Sequence, residues 1–264
     1  MLRYVFVGVL ATAPTSVTGF VGSNIDRDLG GVTHRFNSKN FQDMAGQTFD
    51  RVICSGVQAV KWWANQNPDE DWAGIAPLLK VLGQVKAKEF TLISTVDVYK
   101  RPIDVDEASA IETDGLHAYG AHRRRVELAL AEHFETLQIV RLPGLFGPGL
   151  KKNLIYDVMH GRDISGFDAG STFQFYDLAR LAADLDVIWA SAEPLINLAT
   201  EPVSVADVVK TLTGHDYVHQ TDSGPMRYDM QSRFAAHWGG AGRYIVDRAG
   251  TLQAIAAFAQ NGAE

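Results

Sequence analysis

The chain has 264 residues, a formal net charge of −7 at neutral pH, 46% hydrophobic residues and 21% charged residues. This is an ordinary globular composition that excludes collagen, coiled coil and wholesale disorder, and a chain of this length buries ~70–75% of its extended surface without a disulfide or metal staple. The acidic balance argues against a nucleic-acid or anionic-membrane binder while leaving room for a local basic pocket, and the single cysteine, Cys54, points to a reducing compartment, the cytoplasm.

The first apolar run, Tyr4 to Val9, lies between Arg3 and the small residues Ala11-Thr12-Ala13. Such flanks resemble a signal peptide, but the run is short and one basic residue precedes it. Its β-branched and aromatic content reads instead as a buried strand. No other run approaches the ~20 apolar residues of a membrane-spanning helix. Val32–Phe36 is a second strand, and Arg51–Ser55, closed by Gly56, a third. Asp71–Lys86 carries Trp72, Ile75, Leu78, Leu79, Leu82 and Val85 at helical spacing. Phe90–Ser94 is a strand, Ala118–Phe134 a helix with Val126, Leu130 and Phe134 on one stripe, and Gln138–Leu142 a strand ended by Pro143-Gly144.

Beyond Gly149 the texture changes. Asn153–His160 and Asp177–Ser191 read as helices and Leu195–Leu198 as a short strand. Ser204–Thr213 reads as a helix with Ser204 at its N-cap, and Arg248–Gln260 as a final helix. His215–Gly242 is irregular and rich in Gly, His and aromatic residues. Strands alternating with crossover helices imply an α/β fold, a mainly parallel sheet covered on both faces.

Glycines follow the first strand at Gly8 and then at Gly19 and Gly22. Glycines at a strand-to-helix turn let a pyrophosphate reach backbone N–H groups and the positive end of a helix. Gly19 follows Gly8 by eleven positions, however, and a tight glycine turn has no room for that insertion. At the end of the second strand, His34-Arg35-Phe36-Asn37-Ser38-Lys39 contains no acid to hydrogen-bond a ribose 2′-hydroxyl. Arg35, Ser38 and Lys39 would instead tolerate a 2′-phosphate, which favours NADP over NAD.

A sharper signal is Ser94-Thr95-Val96-Asp97-Val98-Tyr99 followed by Tyr119-Gly120-Ala121-His122-Arg123. A hydroxyl at the carboxyl end of a central strand sits where open α/β sheets bind ligands. Tyr119 and Arg123 are one helical turn apart, with Cβ atoms ~5–6 Å from each other. A guanidinium beside a phenol would favour the phenolate and lower its pKa. Tyr119 would then pass a proton to or from a hydroxyl or carbonyl while Thr95 holds the oxygen.

These segments resemble the extended short-chain dehydrogenase/reductases, specifically the NAD-dependent epimerase/dehydratase group acting on nucleotide sugars. The likeness runs through Gly19-Phe20-Val21-Gly22-Ser23, Phe49-Asp50-Arg51-Val52-Ile53, Asn67-Pro68 and Ser94 to Tyr99. It continues through Arg141-Leu142-Pro143-Gly144-Leu145-Phe146-Gly147-Pro148-Gly149 and Ile196 to Ser204. The resemblance implies a Rossmann-like doubly wound sheet, with residues 1–149 as a dinucleotide-binding core. Residues 150–264 would form a small substrate lobe with elements returning to that core. It implies Thr95, Tyr119, Arg123 and Asp97 as catalytic residues, and Gly8, Gly19, Gly22, Arg35, Ser38, Lys39, Ser55, Gly56, Arg123 and Pro143 at the cofactor.

Arg123 stands where the family has lysine, and arginine is bulkier and fork-shaped. Asp97 falls where dehydratase relatives carry a glutamate, but Val96 occupies the neighbouring acid position, which argues against dehydration. Asp97 bonding its own loop is an equal reading. Lys151, Lys152 and Asn153, with Arg227, Tyr228 and Arg233, are candidates for the nucleotide-sugar substrate. The expected activity is a ketoreductase or epimerase. The alternative is a non-catalytic NAD(P)-binding sensor or partner subunit that kept the fold.

The eight histidines show no metal-ligand spacing, so no metal is expected. Trp62-Trp63 beside Lys61 reads as core packing before a pocket wall, and Cys54 as an inert buried thiol. Asp71–Lys86 and Ala118–Phe134 are candidate faces for a homodimer.

Overall fold

The computed structural model describes residues 4–7, 19–240 and 242–261. Along the chain run β1 Tyr4–Val7, α1 Phe20–Asp28, β2 Val32–Phe36, β3 Thr48–Cys54, α2 Lys61–Gln66, α3 Pro68–Leu82, β4 Lys86–Thr95, β5 Ile103–Val105, α4 Ala118–His133 and β6 Leu137–Leu142. There follow β7 Gly144–Phe146, α5 Leu154–Met159, β8 Thr172–Phe173, β9 Phe175–Asp177, α6 Leu181–Ser191, β10 Leu195–Asn197, β11 Val203–Ser204, α7 Val205–Thr213, β12 Asp229–Met230 and α8 Arg248–Asn261. The chain forms two compact units, one of Met1–Lys100, Ala110–Arg141 and Ala182–Ile196, the other of Arg101–Ser109, Leu142–Leu181 and Asn197–Glu264.

The first unit is built on a six-stranded sheet of order β10-β6-β4-β3-β1-β2. The pairs β1–β2, β1–β3 and β3–β4 are parallel. Alternation along the strands sends side chains to two covered faces. Val52, Cys54, Phe90 and Leu92 join a core with Ile75, Leu78 and Leu82 of α3 and Val126 and Leu130 of α4. On the opposite face, the Arg51 guanidinium lies 4.0 Å from the centre of the Trp189 ring of α6. The Trp189 indole N–H donates to Thr91 Oγ1 at 3.0 Å. This is the two-faced burial that a parallel sheet with helical crossovers requires.

Local chemistry explains where the helices begin. The helix expected from Asp71 starts at Pro68, because proline's missing N–H and fixed φ suit the first helical position. Asp69, Glu70 and Asp71 then complement the positive end of the helix dipole. It stops at Leu82, so Lys86 opens a strand instead of closing the helix. In the second unit Ser204 caps α7 as expected, its side chain accepting from the Asp207 N–H at 3.0 Å.

The second unit gathers three short strand pairs, β7 with β9, β8 with β11 and β5 with β12. Its core packs Phe146, Leu154 and Ile155 against Val205, Val208 and Ile255. The buried Gln174 amide binds the strand beside it, accepting from Met230 N–H and donating to Met230 C=O, both at 2.7 Å. The span expected to be irregular contains β12 and a 3-10 turn at Ala235–Trp238.

Candidate active site

The parallel register of β3 and β4 pairs Cys54 with Leu92, so Ser55 and Thr95 leave the sheet at the same carboxyl edge. Val96–Val98 form a 3-10 turn after Thr95, whose hydroxyl accepts from the Asp97 N–H at 3.2 Å. The first turn of α4 packs directly on this turn. A Cβ at Gly120 would lie 2.1 Å from the Asp97 carbonyl oxygen, so only glycine lets the helix approach this closely. That contact sets Tyr119 beside Thr95 and Asp97.

Helix α2 completes the arrangement. The Asn65 side-chain oxygen accepts from the Tyr119 N–H at 2.9 Å. Lys61, one turn earlier on α2, places its ammonium 2.7 Å from Asp97 Oδ1. His117 caps α4, its Nδ1 accepting from the Gly120 N–H at 3.0 Å. Thr95, Asp97, Tyr119, Lys61, His117 and Asn65 therefore meet within the first unit. Lys61, His117 and Asn65 were not singled out for this role by the sequence. Lys61 and Asn65 sit on a six-residue helix far from Tyr119 in the chain, and only the fold brings them there. His117 had a local signal, since it stands at the N-cap position of a helix that carries the tyrosine.

The electrostatics correct one expectation. Tyr119 is buried, and burial pushes its hydroxyl above the ordinary phenol value; the Arg123 charge opposes this and is outweighed. Asp97 adds to the upward push, while the Thr95 side chain and Lys61 favour ionisation. The phenol is therefore held protonated and is not the phenolate that its helical neighbour suggested. Arg123 itself is 5% exposed and committed to structure. Its Nη1 donates to Asp71 Oδ2 at 2.6 Å, its Nη2 to the Gln58 carbonyl, and its guanidinium carbon lies 3.9 Å from the centre of the Tyr119 ring. His122 Nδ1 also meets Asp71, at 2.7 Å. Burial together with the Lys61 charge lowers the pKa of His117.

The residues expected at a cofactor are placed as follows. Gly8 lies outside the described residues. Gly19 is the N-cap of α1 with no side-chain cap, and Gly22 is buried within the first turn of that helix. Ser55 and Gly56 are buried at the end of β3, and among the described residues the Ser55 hydroxyl has no hydrogen-bond partner. An uncapped helix start and an orphaned buried hydroxyl on the carboxyl edge fit a polar ligand such as a dinucleotide. At the end of β2, Ser38 is half-buried and Lys39 exposed. Arg35 is not free, because Asp26 of α1 meets its guanidinium at 2.6 Å. The acid missing from that strand end is thus supplied from a helix.

Asp97 pairs across to Lys61, while it is its backbone N–H that serves its own loop. Trp62 is 60% exposed and Trp63 half-buried, which overturns the reading of this pair as core packing. Cys54 is buried, and burial pushes its thiol up to about 11, as an inert thiol requires.

The remaining expected residues belong to the second unit. Pro143 is buried, and Lys151 and Lys152 are exposed. The Asn153 amide is occupied at both ends, accepting from Tyr156 N–H at 3.0 Å and donating to Leu145 C=O at 2.9 Å. Arg227 and Arg233 are exposed, and the Tyr228 ring lies 5.7 Å from Phe173. Among the described residues no helix is long and apolar enough to cross a membrane.

No protein-family model and no curated protein sequence matches the chain. Solved structures do match, over nearly its whole length. The UDP-N-acetylglucosamine 4-epimerase of Methanobrevibacter ruminantium M1, in complex with UDP-N-acetylmuramic acid, is similar at a TM-score of 0.74 and 13% identity, covering 98% of this chain and 97% of that one. The dTDP-4-dehydrorhamnose reductase of Bacillus anthracis str. Ames, in complex with NADP, is similar at 0.72 and 15% identity, covering 99% of both chains. The UDP-glucose 4-epimerase of Thermotoga maritima, with UDP-glucose, is similar at 0.70 and 14% identity, covering 99% of this chain and 100% of that one. At these identities the likeness is one of fold: the chain has the Rossmann-like α/β architecture of these sugar-nucleotide epimerases and reductases.

Proposed function

We propose that this chain is an NAD(P)-dependent oxidoreductase or epimerase acting on a carbonyl or hydroxyl of a nucleotide-linked sugar, with NADP as the preferred cofactor. The observation that carries this reading is the meeting of Tyr119 with Thr95 at the carboxyl edge of a parallel sheet that also presents Ser55, a buried hydroxyl with no hydrogen-bond partner among the described residues. The complexes of similar structures with UDP-sugars and NADP support the ligand classes.

Gly19, Gly22 and Ser55 would hold the dinucleotide, with Ser38 and Lys39 toward its 2′-phosphate. A nicotinamide bound there supplies or accepts the hydride. Thr95 donates a hydrogen bond to the reacting oxygen, and Tyr119 gives that oxygen a proton as a carbonyl is reduced. A phenol held protonated by burial suits the donor role in reduction. In the oxidative direction the base is the ionised form of Tyr119, whose phenolate oxygen takes the hydroxyl proton and becomes the phenol again. Within the second unit the exposed Lys151, Lys152, Arg227 and Arg233 are candidates for binding a diphosphate, and Tyr228 and Asn153 are further candidates for the nucleotide sugar. A buried thiol with raised pKa suits a chain working in the reducing cytoplasm.

Tyr119→Phe tests this reading. The variant should bind NADPH like the parent, as read by quenching of tryptophan fluorescence. It should lose about 10²–10⁴-fold in turnover of a nucleotide-4-ketosugar, the range of a lost general acid. Unchanged turnover, or an unsubstituted protein that does not bind NADPH, contradicts it.

A further inference from the structure

Tyr119, Arg123 and Glu127 follow one another at four-residue steps along α4, and all three are buried. The Glu127 carboxylate fills the acceptor positions of both its oxygens. Ser94 Oγ and Arg141 Nε donate to Oε1 at 2.6 and 3.0 Å, and Arg141 Nη2 and Arg124 Nη1 donate to Oε2 at 2.7 and 2.8 Å. The remaining Arg141 nitrogen, Nη1, donates to the Tyr99 hydroxyl at 2.7 Å. Glu127, Arg141 and Tyr99 are buried.

Well-packed apolar side chains often replace a buried ion pair with no loss of stability. What a fully satisfied polar network adds is a single fixed arrangement. Here its two arms reach the two residues that bracket Thr95–Val98: Ser94 comes just before Thr95, and Tyr99 just after Val98. The Tyr99 N–H also closes the 3-10 turn on the Val96 carbonyl at 3.0 Å. Between the two arms, Gly120 rests on the Asp97 carbonyl. The Thr95 side chain, inside the bracketed segment, is a hydrogen-bond partner of Tyr119. Both ends of the segment are thus tied to one ion pair, whose acidic member sits on the helix that carries Tyr119.

We propose that Ser94, Glu127, Arg141 and Tyr99 are positioning residues of the reaction: Glu127 through Ser94, and Arg141 through Tyr99, clamp Thr95–Val98 against α4 and so set the spacing between the Thr95 and Tyr119 hydroxyls. This rests on the reading of Thr95 and Tyr119 as the pair that meets the reacting oxygen. None of the four touches that oxygen; they act through Thr95. A reacting group displaced by ~1 Å can cost about 10²-fold in rate, so a clamp on the donor pair bears on turnover more than on binding.

Glu127→Gln would leave Arg141 as an unmatched buried charge and endanger the fold. Ser94→Ala and Tyr99→Phe each cut one arm and keep the ion pair, so they carry the test. Crystal structures of the cofactor-free parent and variants give the first readout: in each variant Thr95 should shift from Tyr119 by about 1 Å or split into two conformers. Kinetics give the second. In each variant kcat on a nucleotide-4-ketosugar should fall about 10–100-fold, with KM for NADPH and for the sugar within about twofold of the parent. Ser94→Thr restores the hydroxyl and should restore both spacing and kcat. A role in stability alone would lower the urea midpoint and move neither readout. Parent spacing or parent kcat in folded Ser94→Ala and Tyr99→Phe, or a Ser94→Thr variant no better than Ser94→Ala, overturns the proposal. The spacing is read without cofactor or substrate, so it stands apart from the proposed function, which an unsubstituted protein unable to bind NADPH would overturn instead.

Discussion

Asp71 shows how one carboxylate can decide what a neighbouring residue is available to do. It receives Arg123 and His122 in a buried setting, and without it the guanidinium would be an uncompensated buried charge. Asp71→Ala is therefore expected to destabilise the protein by about 3–5 kcal/mol, read as a lowered urea midpoint. A change within ~0.5 kcal/mol would mean that solvent reaches Arg123 after all. The spacing of Tyr119 and Arg123 was legible in the sequence, and so was their sharing of a face. What Arg123 does there was not, because Asp71 lies some fifty residues away in the chain and only folding makes it the partner. Glu127 is a parallel case. It is fully buried on the same helix face and receives Ser94, Arg124 and Arg141, yet an apolar stripe has no place for it.

Helix α4 joins these residues into a device whose entry is sensitive to acid. Its buried stripe runs Tyr119, Arg123, Val126, Glu127 and Leu130, a helical period carrying two charges. At its start the His117 Nδ1 accepts the Gly120 N–H, which only an unprotonated nitrogen can do. The His117 pKa is lowered in the folded chain, so on acidification the unfolded chain takes up the proton first. Stability is thus full above the ordinary value of 6.5 and falls as pH drops through it toward the folded pKa. His117→Asn keeps a capping acceptor that does not titrate, so it should flatten the fall in the urea midpoint below pH 6.5. An equally steep fall in that variant would assign the acid sensitivity elsewhere. At this scale most elements could be read from the chain: β2 and the Ser204 cap stand as expected, since both rest on local chemistry. The ends of α3 shifted because a proline at the first turn outranks the first apolar residue as a start signal. Trp62 escaped because sequence alone does not say which face of a short helix meets solvent.

For the molecule as a whole, alternation of strands and helices sufficed to give the parallel sheet, because a crossover between parallel strands admits few other layouts. The same topology brings Ser55, Thr95 and the start of α1 to the carboxyl ends of the strands, where open α/β sheets take their ligands. Choice of dinucleotide is less legible: Asp26 comes from α1 to meet Arg35, and a 2′-phosphate would compete with it for that guanidinium. The division of the chain into units also crosses the sequence, since Ala182–Ile196 belongs with the first unit and Arg101–Ser109 with the second. The most direct measurement is a crystal structure of the protein grown with NADPH. Density for the pyrophosphate at the start of α1 and for the nicotinamide beside the Tyr119 hydroxyl, with Ser55 hydrogen-bonded to the dinucleotide, is the expected result. A dinucleotide bound away from Tyr119 and Thr95, or none at saturating concentration, would contradict it.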